Sequence, residues 1–436
     1  MAASVRAATR LVYARAQSAR ARLRPRNRYA LRLIVIVGFL GPGLIAANAG
    51  NDAGGVATYS QVGAKYGYSL LWMMVLLTVS LVVVQEMAAR MGAVTGKGLA
   101  ELIREEYGIR WSLFATVAVL FANVGICISE FVGIGAALGL AGVPFQVSVP
   151  IAGVLVWLLL VRGSYKSAER VFVLMTIPFF AYPIAAILAH PDWGDVARSA
   201  VVPHIELTAP YLLLFVATAG TTITPFMQLY LQSAVVERGI GPDELPAERA
   251  EVVSGSIFAN LVASFIIIAT GATLYLHGDH TVNSAADAAK ALEPFAGRFA
   301  EVLFGFGLLG ASLLAAAILP VTAAYVVAET FGFEKGISHQ PRQAPVFVGV
   351  ITVLIAIGVL VAIIPGIPVI PLLVGVQVVN GVLLPVTLFF VWRLAASRDV
   401  MGRHANGRTF NVLAGATVAA TSFLSVLVIL LSIGIL

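Results

Sequence analysis

The chain has 436 residues, 59% of them hydrophobic and 11% charged, with a net charge of +6 and a mean hydropathy of +0.93. Those fractions lie far from the averages of soluble domains and exclude a water-soluble globular fold. Apolar runs long enough to cross about 30 Å of hydrocarbon recur along the whole length, and the short alternating strands of an outer-membrane barrel do not, so the expected class is an all-α membrane protein.

In chain order, residues 1–32 carry nine arginines and no acid. This basic segment reads as a cytoplasmic tail obeying the positive-inside rule, or as an amphipathic helix lying on anionic lipid. A cleaved signal peptide is not expected, because the following apolar run is too long and lacks a small-residue cleavage site. From residue 33 the chain forms a single transmembrane domain of eleven predicted spans: 33–61, 68–91, 112–140, 147–162, 171–189, 209–236, 253–276, 302–329, 344–364, 369–393 and 412–435. With the N-terminus inside, the cytoplasmic segments hold 24 of the Lys and Arg residues and the outer loops hold 4. That asymmetry predicts an odd number of spans and an extracellular C-terminus. No histidine falls within a predicted span. The lone cysteine, Cys127, provides neither a disulfide nor a thiolate metal cluster within one chain.

Two spans are interrupted. Span one contains GNDAGG at residues 50–55, and span six contains AGTTITPFMQ at 219–228. Glycine relaxes the backbone and proline removes a donor, so both helices are expected to unwind there. Amides and carbonyls freed in hydrocarbon need partners, and an ion can be one. Spans one and six are five apart, the spacing of two inverted five-span repeats, about 33–189 and 209–393, each opened by a broken helix. A charge at the bilayer centre costs about 2.5–3.5 kcal/mol, so Asp52 is read as a cation ligand, as a cap on the second half of its helix, or as both.

At these positions the chain resembles the Nramp family of divalent-metal transporters, whose fold is the LeuT-like inverted repeat. The family pattern GPG followed by DPGN is matched by GPGLIAANAGNDAGG at 41–55, AAR-G-VTGK by MAARMGAVTGKGL, the span-six motif by TPFMQLYLQS, and the span-ten motif by QVVNGVLLPV. The departures are pointed. Asn becomes Gly55, the methionine before the span-six proline becomes Thr224, the histidine after it becomes Phe226, and of two span-three acids only Glu130 remains, with Cys127 at the other position.

A hydroxyl in place of a thioether suits hard cations, and the pattern looks like the Nramp-related magnesium transporters. That resemblance implies transport of a largely hydrated Mg²⁺, with Mn²⁺ tolerated. Carried over residue by residue, Asp52 supplies charge, Thr221 a backbone carbonyl, Thr224 a hydroxyl or carbonyl and Gln377 an amide oxygen, while Gly55 contributes room by lacking a side chain. Met227 is read as packing, although a shift in register would bring its sulfur to the site. Glu130 is either a hydrogen-bonded neutral acid or part of a proton relay. With no histidine in a span, uptake without obligatory proton coupling is expected.

The alternatives are a proton-coupled Mn²⁺/Fe²⁺ transporter and, from another class, an organic-substrate transporter of the same architecture. No nucleotide loop or nucleophile constellation appears, so neither an enzyme nor a nucleic-acid binder is expected, and no cofactor is called for. The expected partners are the transported divalent ion and the lipid bilayer of a prokaryotic-type plasma membrane; no oligomeric partner is identified.

Overall fold

The computed structural model describes residues 49–162, 180–278, 280, 282–290, 297, 300–337 and 342–433. The basic segment 1–32, the first half of span one with its GPG, residues 171–179 of span five and His339 lie outside the described residues. Among those described the secondary structure is helical, with no strand.

A short 3-10 turn, Ala49–Asn51, leads into α1 (Ala53–Tyr66). Then follow α2 (Leu71–Thr95), α3 (Leu99–Tyr107), α4 (Ile109–Gly139), α5 (Phe145–Arg162) and α6 (Ala181–Leu188). The sixth span is two helices, α7 (Ala209–Thr222) and α8 (Pro225–Glu237). After it come α9 (Leu245–Thr273), α10 (Ala300–Phe331), α11 (Pro345–Ala362), α12 (Val369–Ala396) and α13 (Arg408–Ser432). Nine of these, counting α7 and α8 as one, are long and apolar enough to cross a bilayer. They match predicted spans two to four and six to eleven. Spans one and five are described only through α1 and α6.

Burial is inverted relative to a soluble protein. Phe121, Val117, Leu360, Val412 and Phe423 are exposed on the outside, while Thr58, Gln85, Asn123, Gln228 and Asn380 are buried within. An apolar exterior meets lipid without loss, and the polar groups must find partners inside. The helices pack in two groups: α4 and α5 with α10 and α11, and α1 and α2 with α7, α8 and α9. Each group joins spans three and four to eight and nine, or one and two to six and seven, as two interlocked repeats require. Helix α12 touches both groups, packing on α4, α1 and α7, and α13 lies along it.

Ion pairs gather at one end of the bundle. The buried Glu86 carboxylate accepts from Arg90 Nε at 3.1 Å and from Arg249 Nε at 2.6 Å. Arg90 also reaches the His404 carbonyl and Asn406 Oδ1, tying α2 and α9 to the segment between α12 and α13. Nearby, Lys335 Nζ lies 2.9 Å from Glu101 and 3.2 Å from Glu329, whose carboxylate also accepts from Ser233. Burial alone would lower the Lys335 pKa, but the Glu329 carboxylate and then Glu101 outweigh it and hold the ammonium charged. At the other end Tyr66 stacks edge-on against Tyr211, and Trp72 Nε1 donates to the His204 carbonyl at 3.2 Å.

Candidate metal site

The break in span six follows from three consecutive residues. Ile223 leaves helical geometry with φ −123° and ψ 68°, and Thr224 is extended with φ −73° and ψ 143°. Pro225 then starts α8, where its missing amide hydrogen is no loss and its ring forces the preceding residue out of the helix. The threonines before the break stay in register by donating to carbonyls four residues back, Thr218 to Leu214 and Thr222 to Thr218, each at 2.7 Å.

Span one's second half begins at Asp52, which is the N-cap of α1. Its Oδ1 accepts from Gly55 N at 2.6 Å. Glu130 on α4 reaches the same helix end, with Ala53 N donating to Oε2 at 3.1 Å and Ser129 Oγ to Oε1 at 3.1 Å. Two fully buried carboxylates thus meet one helix N-terminus, where free amides and the helix dipole favour negative charge. Asp52 therefore does cap its helix. Among the described residues Oδ2 has no backbone partner, and Gln377 of α12 reaches both oxygens, with Nε2 at 3.0 Å from Oδ1 and 3.2 Å from Oδ2.

Beside Gly55 the chain brings three oxygens to one point. A Cβ built on that glycine would lie 2.5 Å from Gly50 O, 2.8 Å from Thr221 Oγ1 and 3.2 Å from Asp52 Oδ1. Thr221 Oγ1 itself donates to Gly50 O at 3.1 Å. A carboxylate, a carbonyl and a hydroxyl converging within a few ångströms of one another, in a dry interior, make a donor set that hard divalent cations accept.

Of the residues singled out in the sequence, Asp52, Gly55, Thr221 and Gln377 come together. Thr221 enters through its hydroxyl; its carbonyl faces Gly50. Gln377 turns its amide nitrogen, not its oxygen, to Asp52. The space beside Gly55 is held by three oxygens. Thr224 lies at the head of α8, buried, its hydroxyl without a partner among the described residues and its carbonyl accepting from Gln228 Nε2 at 3.1 Å. Met227 packs against Gly50, its sulfur 3.5 Å from where a Cβ there would sit. Cys127 Sγ donates to the Leu354 carbonyl at 3.6 Å.

Two residues were not singled out. Tyr59 pairs its hydroxyl with Thr222 Oγ1 at 2.9 Å, bridging α1 and α7. Asn380 donates to Gly220 O at 2.9 Å and to Gln377 Oε1 at 3.3 Å. Its position three residues after Gln377, on the same helix face, was the available signal.

The Natural resistance-associated macrophage protein-like family model matches residues 43–431. The chain belongs to the Nramp family. Nramp proteins are metal-ion transporters and not enzymes, and this one is a multi-pass integral membrane protein. A relative in Ralstonia nicotianae, described as the divalent metal cation transporter MntH, is 31% identical over 404 residues and covers 88% of each chain. Among solved structures, the Eremococcus coleocola manganese transporter superposes with a TM-score of 0.74 at 20% identity, over 92% of this chain and 87% of that one. MhsT, solved in complex with L-phenylalanine, superposes with a TM-score of 0.61 at 13% identity, over 90% and 98%. These likenesses establish the LeuT-like fold of the Nramp chain.

Proposed function

We propose that this Nramp protein imports divalent cations across a prokaryotic plasma membrane by alternating access. The proposed substrate is Mg²⁺, largely hydrated, with Mn²⁺ tolerated, as in the Nramp-related magnesium transporters. The N-terminus is cytoplasmic and the C-terminus extracellular, following the distribution of basic residues. The observation that carries the reading is the fully buried Asp52 carboxylate at the span-one break, ringed by Gly50 O and Thr221 Oγ1, with no histidine beside it among the described residues. Oxygen donors with one charge suit an ion that holds most of its waters.

Entry of the ion is driven by the membrane potential. Two charges at about 2.3 kcal/mol each per 100 mV make about 4.6 kcal/mol, more than three orders of magnitude in concentration ratio. Glu130 is occupied by the Ala53 amide and the Ser129 hydroxyl, and it serves as a structural acid and not a relay. Proteoliposomes loaded with a Mg²⁺ dye and a pH dye test both points. Uptake is expected without stoichiometric acidification and is lost in Asp52→Ala; Mg²⁺ entry accompanied by a fixed number of protons removes the uncoupled mechanism.

A second reading, proton-coupled Mn²⁺/Fe²⁺ transport, draws support from Met227. Its sulfur beside Gly50, a residue of the oxygen ring, offers a soft donor. Competition separates the two: Cd²⁺ blocking uptake at concentrations far below Mg²⁺, and relieved in Met227→Leu, favours the second.

A further inference from the structure

We propose that Asn380 couples cation capture at Asp52 to the broken sixth span through a paired reversal of the Gln377 and Asn380 side-chain amides. This rests on reading Asp52 and Gln377 as the cation site.

The orientation of both amides follows from their partners. An ionised carboxylate only accepts, so Gln377 presents Nε2 to it, at 3.0 and 3.2 Å. Gln377 Oε1 must then face away, and it accepts from Asn380 Nδ2 at 3.3 Å. The same nitrogen donates to Gly220 O at 2.9 Å, in the last turn of α7 before the break. Both side chains are fully buried, and Asn380 Oδ1 has no hydrogen-bond partner among the described residues. A buried amide oxygen left bare is unfavourable in this state and calls for a second state in which it is used.

A cation on the Asp52 carboxylate supplies that state. It repels the Nε2 hydrogens and attracts an amide oxygen, so the Gln377 amide reverses. Its Nε2 then points at Asn380 Nδ2, donor against donor, and Asn380 must reverse as well. The bare Oδ1 accepts from Gln377, and Nδ2 leaves the Gly220 carbonyl. Helix α7 meets α12 through backbone here, because a Cβ on Gly220 would collide with Gln377 O and with Gly381, and a Cβ on Gly381 would collide with Val216 O. A carbonyl released in so tight a contact has no water to turn to, and the last turn of α7 shifts to satisfy it. Capture of the ion thus reaches the hinge of span six through two side chains.

The test uses the purified full chain and Mn²⁺ as the probe. Isothermal titration is run on Gln377→Leu, Asn380→Leu and the double variant, with size exclusion to confirm folding; Asn380→Ser replaces the leucine variant if that one does not fold. Each single change is expected to weaken binding by about tenfold, the scale of one buried hydrogen bond, and the double variant to bind no more weakly than Gln377→Leu alone. Multiplying effects, or native affinity in Asn380→Leu when Gln377→Leu is impaired, overturns the relay. Native affinity in both Gln377→Leu and Asp52→Ala removes the underlying site instead. A second readout follows the hinge: Cys127 and Ile223 are both buried in this state, so with Cys127→Ser as background, maleimide labelling of Ile223→Cys reports opening at the break. Its labelling rate is expected to change with Mn²⁺, and to stop changing when Asn380→Leu is added. The same Mn²⁺ response with and without Asn380 overturns the coupling.

Discussion

Gly55→Ala is the smallest perturbation that addresses the oxygen ring directly. The added carbon would sit 2.5 Å from Gly50 O, 2.8 Å from Thr221 Oγ1 and 3.2 Å from Asp52 Oδ1, where an ordinary non-bonded contact is about 3.5 Å. The Gly50 carbonyl therefore has to retreat by about 1 Å, and it is backbone, held by the Thr221 hydroxyl. Overpacking of this kind costs about 1–3 kcal/mol. The better helix propensity of alanine returns up to about 1 kcal/mol, leaving a net destabilisation of about 0–2 kcal/mol.

The functional effect is larger than the stability effect, since all three displaced atoms are proposed ligands and a site loosened by about 1 Å loses much of its grip. Cation affinity is expected to fall by about 10–100-fold, the range seen when the support of a metal ligand is disturbed. Gly125→Ala is the control, because a Cβ there meets only Val376 at an ordinary 3.5 Å. Dye-loaded proteoliposomes give KM for Mg²⁺ and Mn²⁺, and thermal melts followed by size exclusion give stability. If Gly55→Ala transports with the native KM, matching the control, the ring does not bind the ion.

Asp52→Asn keeps an N-cap of equal quality but removes the charge, so the protein should fold and melt within about 1 kcal/mol of the native chain while losing measurable uptake. Thr224→Met should shift selectivity toward Mn²⁺ and Cd²⁺ relative to Mg²⁺ by about tenfold or more if that residue faces the ion; unchanged selectivity in competition assays places Thr224 outside the coordination sphere. Arg90→Ala leaves buried Glu86 with Arg249 alone and also strips the His404 carbonyl and Asn406 of a donor. The expected loss is about 2–4 kcal/mol, somewhat below a fully orphaned buried charge, and Glu86→Gln added to it should recover part of the loss in the same melt. A worse melt in the double variant contradicts the ion-pair account.

Much of the site was legible because its signals are local. An acid among glycines in an apolar run, and a proline after three threonines, mark places where a helix cannot continue in hydrocarbon. Both α1 and α8 begin where those signals stand. The cap by Asp52 was foreseeable from spacing, since an N-cap oxygen reaches the third amide of its own helix. The meeting of Asp52 with Glu130 and Gln377 could not be read from spacing and was implied only by the family resemblance, because these residues lie 77 and 325 positions apart from Ala53 and Asp52, and packing of α4 and α12 on α1 brings them together. Gln377 was expected to offer its oxygen and offers its nitrogen to Asp52, since an ionised carboxylate can only accept. Gly55 was read as spare room, yet the oxygens of Gly50 and Thr221 close upon it.

By itself the sequence determined that this chain lives in a bilayer and where two of its helices must break. Hydropathy over about twenty residues, and the backbone restrictions of proline and glycine, act without reference to the rest of the fold. Which oxygens face Asp52, which way each amide points, and whether Met227 touches the site were decided by tertiary structure alone. In a dry interior every donor must find an acceptor, and that matching is settled among all the packed helices at once.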